Sequence, residues 1–308
     1  VIPNDAWYNL RERSFSHSTF LKSTACMLGA LARASSVEQA FLDLEDTTGD
    51  GAGIFARIDP SIRPTVYKCA TIGVADLAKL RSITRIKRLG RVLEIRADEI
   101  IFQQGRMPRS TETIIDCTAN GLAPREAVPI FNGGKIILQP MIFCQAVFSA
   151  ALIAHAEASF DDDDRKNRMC IVNQHPTTVP DLAKGMYLSI LITKRFGEAG
   201  FKHRWWLASC RLNYGATFPL WMKLWYALGP ANLKGNMDAF MDAVERGRVS
   251  DLGPILIPEV GAGSLASDMI SKEAGRLSPG RSMVALGVLV CGVALYGVRA
   301  QLASSFGR

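Results

Sequence analysis

Residues 113–121 read Thr113-Ile114-Ile115-Asp116-Cys117-Thr118-Ala119-Asn120-Gly121. The apolar and β-branched run at 113–117 predicts a strand, and the small residues after it predict a turn where that strand stops. Small residues at the carboxyl end of a strand leave the backbone amides accessible, because no branched side chain covers them. Since ligands of open α/β sheets bind just outside such strand ends, the run predicts a ligand site at residues 118–121.

Short strands and helices are predicted on both sides of this run. Period-two patterns bounded by turn residues predict strands, and apolar residues at helical spacing predict helices. The predicted strands are 83–89, 92–96, 99–103 and 136–139, and the predicted helices of the same half include 37–44, 73–83 and 143–158. The helix at 37–44 begins with the capping box Ser35-Ser36-Val37-Glu38. Strands and helices mixed in this order predict an α/β or α+β fold.

Composition divides the chain into four parts. Residues 1–164 mix strands and helices, and residues 165–252 are predicted to be mostly helical. Glycine and proline are frequent from 253 to 281, which is typical of a linker. Residues 282–298 carry no charge and lie near the lower limit of about 17 apolar residues for a membrane span. A transmembrane helix and a buried apolar helix both remain open for this last part.

The overall composition limits the class of protein. Of the 308 residues, 48% are hydrophobic and 21% are charged, which excludes disordered and collagen-like chains. The 36 Lys and Arg against 29 Asp and Glu give a net charge of +7. That excess permits an anionic cofactor or a membrane surface as a partner, but it is too small to predict nucleic-acid binding.

Cysteine and histidine spacing predicts neither a metal site nor a disulfide framework. The seven cysteines include no Cys-x-x-Cys pair, and an odd number argues against complete pairing. We therefore expect mostly reduced, buried thiols in a cytosolic-type compartment, including an inert Cys117. The four histidines are far apart in sequence, and His155 is expected to be a packed helical residue rather than a ligand.

Three stretches resemble FAD/NAD(P)-dependent oxidoreductases, with the flavin monooxygenase-like proteins as the nearest subgroup. Residues 112–122, with the hairpin before them, resemble the stretch that precedes the second dinucleotide-contact loop of that family. Residues 3–7 are similar to the segment after its nicotinamide-binding half, and residues 148–155 to the late helix of its flavin domain. No Gly-x-Gly-x-x-Gly loop occurs in the chain, so the resemblance implies the carboxyl-terminal portion of an incomplete dinucleotide-binding domain, with that loop upstream of Val1.

This resemblance implies FAD and NAD(P) as cofactors, with hydride transfer from the nicotinamide to the flavin in the complete enzyme. The chemistry belongs to the cofactors, so no side chain is assigned a catalytic role, and the small-molecule substrate stays unidentified. The residues implied to contact the cofactor are Thr118, Ala119, Asn120, Gly121, Gln139 and Gln145. An ordinary turn at 118–121 and solvent-facing amides at the two glutamines remain open as alternatives.

The missing phosphate loop and the apolar segment together suggest an alternative function. The chain would then be a non-catalytic, membrane-anchored protein that carries a degenerate flavoprotein domain. The oxidoreductase hypothesis predicts a cytoplasmic protein. The alternative predicts a protein that is attached to a membrane through its carboxyl-terminal helix and faces the cytoplasm. Trp205, Trp206, Trp221 and Trp225 could line a pocket or lie at a membrane interface, and helix packing is their default interpretation.

Overall fold

Helices and three small sheets make up the part of the chain that the computed structural model describes. That part comprises residues 4–45, 53–110, 112–119, 125–253 and 255. The mixture of helices and sheets agrees with the α/β or α+β class expected from the sequence.

The first sheet brings together two distant parts of the amino-terminal half. Its central strand β1 (Ala6–Leu10) pairs antiparallel with β2 (Phe55–Ala56) and parallel with β3 (Val66–Ile72). The side chain of Trp7 on β1 is almost fully buried, and its Nε1 donates to the carbonyl of Pro64 at 3.1 Å. This hydrogen bond satisfies the polar end of a large apolar side chain, so the indole can anchor the core without a desolvation penalty.

The described part of the chain contains ten α-helices and a short 3-10 helix at Tyr214–Thr217. The α-helices are α1 (Arg11–Ser14), α2 (Phe20–Arg33), α3 (Val37–Glu45), α4 (Val74–Arg81), α5 (Ala146–Glu157), α6 (Asp163–Met169), α7 (Pro180–Glu198), α8 (Phe201–Ser209), α9 (Leu220–Leu228) and α10 (Leu233–Glu245). The helices predicted at 37–44, 73–83 and 143–158 are therefore confirmed with small shifts at their ends. The mostly helical character predicted for residues 165–252 is confirmed by α6 to α10.

One hydrophobic core is shared by both halves of the described chain. Phe41 of α3 and Leu152 of α5 belong to the same buried cluster as Phe196 of α7 and Phe240 of α10. The most extensive of the described helix–helix contacts is between α10 and α2, which lie about 200 residues apart in sequence. Residues 165–252 consequently complete the core of residues 1–164.

The start of α3 is capped by a residue that the local sequence does not contain. Asp251 accepts hydrogen bonds from the backbone N–H groups of Val37 at 2.7 Å and Glu38 at 3.3 Å. The hydroxyl of Ser36 accepts from Gln39 at 3.1 Å, so the local cap lies one residue later than the predicted box. A carboxylate at a helix start stabilises the unpaired amides there.

Two further sheets lie in the segment 83–139, which we call the excursion. Strands β4 (Val92–Ile95), β5 (Glu99–Phe102) and β6 (Gly105–Pro108) form an antiparallel meander, and β7 (Phe131–Asn132) pairs with β8 (Lys135–Ile136). Gly133 and Gly134 join β7 to β8 with positive φ angles of 54° and 88°, a backbone that favours glycine. The strands predicted at 92–96 and 99–103 are confirmed as β4 and β5.

Three of the predicted strands are wrong or shortened. Residues 83–89 and 113–117 form no strand, and the strand predicted at 136–139 is reduced to the two-residue β8. Apolar and β-branched residues favour a strand, but a strand persists only when a neighbouring strand accepts its backbone hydrogen bonds. Within the described residues, no such neighbour lies beside 83–89 or 113–117.

The described residues contain no helix with the length and apolarity that a membrane crossing requires. Residues 282–298, where the sequence leaves a transmembrane helix open, lie outside the described residues, as does nearly all of the predicted linker.

Candidate functional site

The predicted ligand-facing segment is exposed in the structure. Ile114 is 41% exposed and Ile115 is 81% exposed, although the sequence predicts a strand inside a sheet at this place. Cys117, Thr118 and Ala119 are exposed as well, so the expectation of a buried thiol at Cys117 is wrong. As far as residues 112–119 are concerned, the end of this segment is therefore open to a ligand or to another part of a protein.

A local turn fixes the end of this segment. The carboxylate of Asp116 accepts hydrogen bonds from the hydroxyl of Thr118 at 2.7 Å and from its backbone N–H at 2.8 Å. These bonds hold the pKa of Asp116 below its ordinary value. The side chain of Thr118 is thus directed back to Asp116, while its neighbour Ala119 presents only a methyl group. Asn120 and Gly121 lie outside the described residues.

The two predicted glutamines have different environments. Gln139 uses both ends of its side-chain amide on one residue: it donates to the Val128 carbonyl at 2.6 Å and accepts from the Val128 N–H at 3.2 Å. Gln145 lies at the start of α5 without a capping hydrogen bond from its side chain. Among the described hydrogen bonds, none joins either glutamine to Thr118 or Ala119.

The loop before α5 is organised by a buried serine. The hydroxyl of Ser149 accepts from the backbone N–H groups of Met141 and Ile142, both at 3.1 Å, and donates to the Gln145 carbonyl at 2.8 Å. With these three bonds the side chain uses its full hydrogen-bonding capacity inside the core. The position of Gln145 is therefore fixed by the backbone, which leaves its amide side chain unconstrained by a cap.

A disulfide joins the two ends of the chain segment that carries the excursion. Cys69 on β3 is bonded to Cys144 in the loop before α5, across 75 residues of sequence. The expectation of mostly reduced thiols is therefore wrong for this pair, whereas Cys117, Cys170 and Cys210 are free thiols. Both bonded cysteines have positive φ angles, 55° and 53°. No local spacing signals this bridge, because the two residues meet only when β3 packs beside the start of α5.

His155 and His203 form a hydrogen-bonded pair in the core. Nε2 of His155 lies 3.0 Å from Nδ1 of His203, and both residues are more than nine-tenths buried. The indole of Trp206 stacks on His155 with ring centres 4.0 Å apart. Burial, with the nearby His203 and Lys202, lowers the pKa of His155 to about 4, and burial also lowers the pKa of His203. His155 is a packed histidine, as expected, but its partner 48 residues away was missed.

Three of the six basic residues between 81 and 96 are engaged in ion pairs or side-chain contacts with backbone carbonyls, namely Arg81, Arg88 and Arg96. Arg88 pairs with Asp5, just before β1, at 2.7 Å and with Asp59, just after β2, at 3.2 Å, and these two ion pairs attach the excursion to the rest of the described chain. Arg96 is held by Glu94 and Glu99, both at 2.9 Å. The other three basic residues of this run, Arg85, Lys87 and Arg91, are exposed.

One cleft of about 400 Å³ lies beside the start of α3 and of α7. Its charged groups are already used within the protein, since Arg63 pairs with Glu38 at 3.6 Å and Asp251 caps α3. In the described part of the chain, no group of three or more potential ligand side chains could hold a metal ion. The cleft and the exposed segment at 113–119 share no residues, and only that segment coincides with residues predicted from the sequence.

Comparison with known proteins gives relatives but no family. The chain is 36% identical over 226 residues to uncharacterised proteins of Mycobacterium bovis and of two strains of Mycobacterium tuberculosis. The match covers 69% of this chain and 40% of each relative, so the chain spans well under half the length of the curated relatives it matches. No protein-family profile and no solved structure matches the chain.

Proposed function

We propose that the chain forms part of an FAD/NAD(P)-dependent oxidoreductase-like protein in which residues 113–121 lie beside the flavin. The observation that carries the proposal is the exposed apolar run at 113–117, which ends in the turn made by Asp116 and Thr118. This is the same stretch whose sequence resembles the segment before a dinucleotide-contact loop.

The run has the composition of a strand that is covered on both faces. Parallel strands inside α/β sheets are apolar on both sides, because helices cover each face of the sheet. Here both isoleucines are exposed, and no described strand pairs with the run. A neighbouring sheet would remove this apolar surface from water and satisfy the backbone groups at the same time. The relatives are longer than the matched region, so further polypeptide of that kind could supply such a sheet.

The described residues fit one wall of a cofactor site. Ala119 adds only a methyl group, and the Thr118 hydroxyl is held by Asp116, so the backbone there is open to an extended ligand. No glycine-rich turn that leads from a strand into a helix occurs among the described residues, so the pyrophosphate would be held elsewhere. When bound, the cofactors would supply hydride transfer, and this chain would position and shield the flavin.

A different observation favours the non-catalytic alternative. Among the described strands only β1 and β3 pair in parallel, and no sheet there has more than three strands. A protein that kept the surrounding fold but lost the dinucleotide-binding sheet would also have only such small sheets. The two functions differ in one measurable property, which is the affinity of the purified chain for FAD.

The test is an FAD titration of the full chain, followed by flavin fluorescence and by the unfolding temperature. If residues 118–119 lie against the flavin, saturating FAD raises the unfolding temperature, because a ligand that binds only the folded state stabilises it. Ala119→Trp should abolish that increase, since its indole would occupy the open space. Ala75→Trp, at another exposed alanine on α4, serves as the matched control and should keep it. A chain that shows no bound flavin and no shift at saturating FAD would count against a working enzyme in this form and would favour the non-catalytic alternative.

A further inference from the structure

Helix α9 presents an exposed aromatic stripe. Trp221, Trp225 and Leu228 follow one another at intervals of four and three residues, so they lie on the same helix face. They are 66%, 60% and 74% exposed, respectively. Core packing, the default expectation for these tryptophans, is therefore wrong for Trp221 and Trp225. It is also wrong for Trp205 on α8, which is 55% exposed.

The opposite side of α9 is firmly attached to the protein. The helix packs against α2 and α10, and Ala227 on its inner side is buried. Phe218, just before the helix, is buried in a cluster with Phe20 and Tyr214. The exposed stripe is consequently the outer face of a helix whose inner face packs against the protein. Large aromatic side chains that remain exposed on a fixed helix typically mark an interaction surface.

The chain segment that carries the stripe contains charges of a single sign. Residues 199–235 contain five basic residues and no aspartate or glutamate: Lys202, Arg204, Arg211, Lys223 and Lys234. Lys234 pairs with Asp238, and the ammonium of Lys223 donates to the Ala216 carbonyl at 3.2 Å. Lys202, Arg204 and Arg211 have no ion pair with a carboxylate of the described residues, so their charge is available to an anionic partner.

The combination of exposed tryptophans, basic residues and no acidic residue matches the chemistry of a phospholipid surface. Tryptophan favours the headgroup region, because its ring is apolar while its N–H is polar. Lysine and arginine near an anionic bilayer each contribute to binding through electrostatic attraction. The helix has nine residues and is about 14 Å long, whereas a bilayer core is about 30 Å thick, so α9 can lie on a bilayer but not cross it.

We propose that α9, with the basic segment 199–235 around it, docks on the surface of an anionic phospholipid bilayer. The tryptophan stripe enters the headgroup region, and Lys202, Arg204 and Arg211 face the lipid phosphates. This docking is independent of residues 282–298 and of the flavin proposal. It makes the protein a peripheral membrane protein through a surface of its folded part.

The test measures binding of the full chain to vesicles by sedimentation and by tryptophan fluorescence. One set of vesicles contains phosphatidylcholine alone, and the other contains phosphatidylcholine mixed with phosphatidylglycerol. We expect binding to the mixed vesicles, a blue shift of the tryptophan emission, and weaker binding as salt is raised, because salt screens exposed charges. Trp221→Ala/Trp225→Ala should weaken binding about tenfold or more, because it removes most of the apolar face.

Two further variants make the result specific. Leu93→Ala removes a side chain of similar exposure, 64%, from β4 in the excursion and should bind the mixed vesicles like the unmodified chain. Arg211→Glu should weaken binding to the mixed vesicles and leave the unfolding temperature unchanged. Equal binding by the double tryptophan variant and the unmodified chain would overturn the proposal. The proposal would also be overturned if the chain bound neither kind of vesicle. A dimer that forms through Trp221 and Trp225 in place of lipid binding would overturn it as well.

Discussion

The body of the molecule and the excursion at 83–139 use apolar residues in different ways. In the body, by which we mean the rest of the described chain, Trp7, Phe41, Phe55 and Tyr67 pack ring against ring, and each is at most 2% exposed. In the excursion, ten large apolar side chains are exposed: Ile83, Val92, Leu93, Ile95, Ile114, Ile115, Val128, Ile136, Ile137 and Leu138. These large apolar side chains therefore form core in the body and lie at the surface in the excursion.

The difference shows which region is complete by itself. The body closes its own core with helices from both halves of the chain, whereas the excursion has no layer to cover its outer apolar residues in the described structure. The excursion is nevertheless attached to the body at defined points. Asn167 on α6 bonds both the N–H and the carbonyl of Phe131, at 2.9 Å and 2.8 Å. The Arg88 ion pairs attach the amino-terminal end of the excursion. The Cys69–Cys144 disulfide links the body segments that precede and follow it.

The largest effect is expected from a substitution in the aromatic cluster of the body. Phe41→Ala should lower the free energy of unfolding by about 3–5 kcal/mol, because it leaves a cavity among residues that cannot fully collapse into it. Ile115→Ala, at the most exposed isoleucine of the excursion, should change it by less than about 0.5 kcal/mol. Urea denaturation monitored by circular dichroism measures both values. Similar losses for the two variants would show that the excursion is as well packed in solution as the body.

A smaller effect is expected at the disulfide, which links the two body segments that precede and follow the excursion. Cys69→Ser/Cys144→Ser should lower the free energy of unfolding by about 2–4 kcal/mol, because the bridge restricts a long segment of the unfolded chain. Limited proteolysis should then cut within 83–139 more readily than in the unmodified protein. Cys117→Ser, at an exposed free cysteine, is the matched control and should leave both measurements unchanged. An excursion that stays equally resistant without the bridge would show that its other attachments are sufficient.

The smallest effect concerns pH and belongs to the histidine pair of the body. The folded pKa of His155 is about 4, below the unfolded value of 6.5, and the pKa of His203 is also lowered. The unfolded chain therefore binds more protons in this range, so stability is full above pH 6.5 and falls as pH decreases toward 4. The slope should not exceed about 1.4 kcal/mol per pH unit for each histidine. Denaturation between pH 6.5 and 5 measures this slope before most carboxylates titrate.

His155→Phe/His203→Phe provides the comparison for the pH effect. Two apolar rings can fill the space beside Trp206 and Phe160 without a group that titrates in this range. The unfolding free energy of this variant should be nearly constant between pH 6.5 and 5. A slope equal to that of the unmodified protein would place the titrating groups elsewhere in the protein.

The sequence predicted the helices of the body well, because each carries its own signal. Val37, Ala40, Phe41 and Leu44 repeat at helical spacing, and all four are buried on one face of α3. Strands β4 and β5 were predicted for a similar reason, since they are close in sequence and joined by a short turn. The runs at 83–89 and 113–117 carry an equally clear strand signal, but a strand also needs a partner, and the local pattern does not say whether one is present.

The candidate site was predictable only in part. The exposed turn at Asp116 and Thr118 follows from adjacent residues, so the small-residue run indicated it directly. The disulfide, the His155–His203 pair and the Asp251 cap were not predictable, because their partners are 75, 48 and more than 200 residues apart. Those contacts exist only because the helices pack in one particular arrangement.

By itself, the sequence determined the class of fold, the positions of the helices, and the composition of an acid-free aromatic segment at 199–235. Only the tertiary structure decided which apolar residues are buried. Burial depends on what packs against a residue: Phe41 and Trp225 are both large and aromatic, yet one is fully buried and the other is 60% exposed. Periodicity fixes the face of an element on which a side chain lies, and the rest of the chain fixes whether that face is covered.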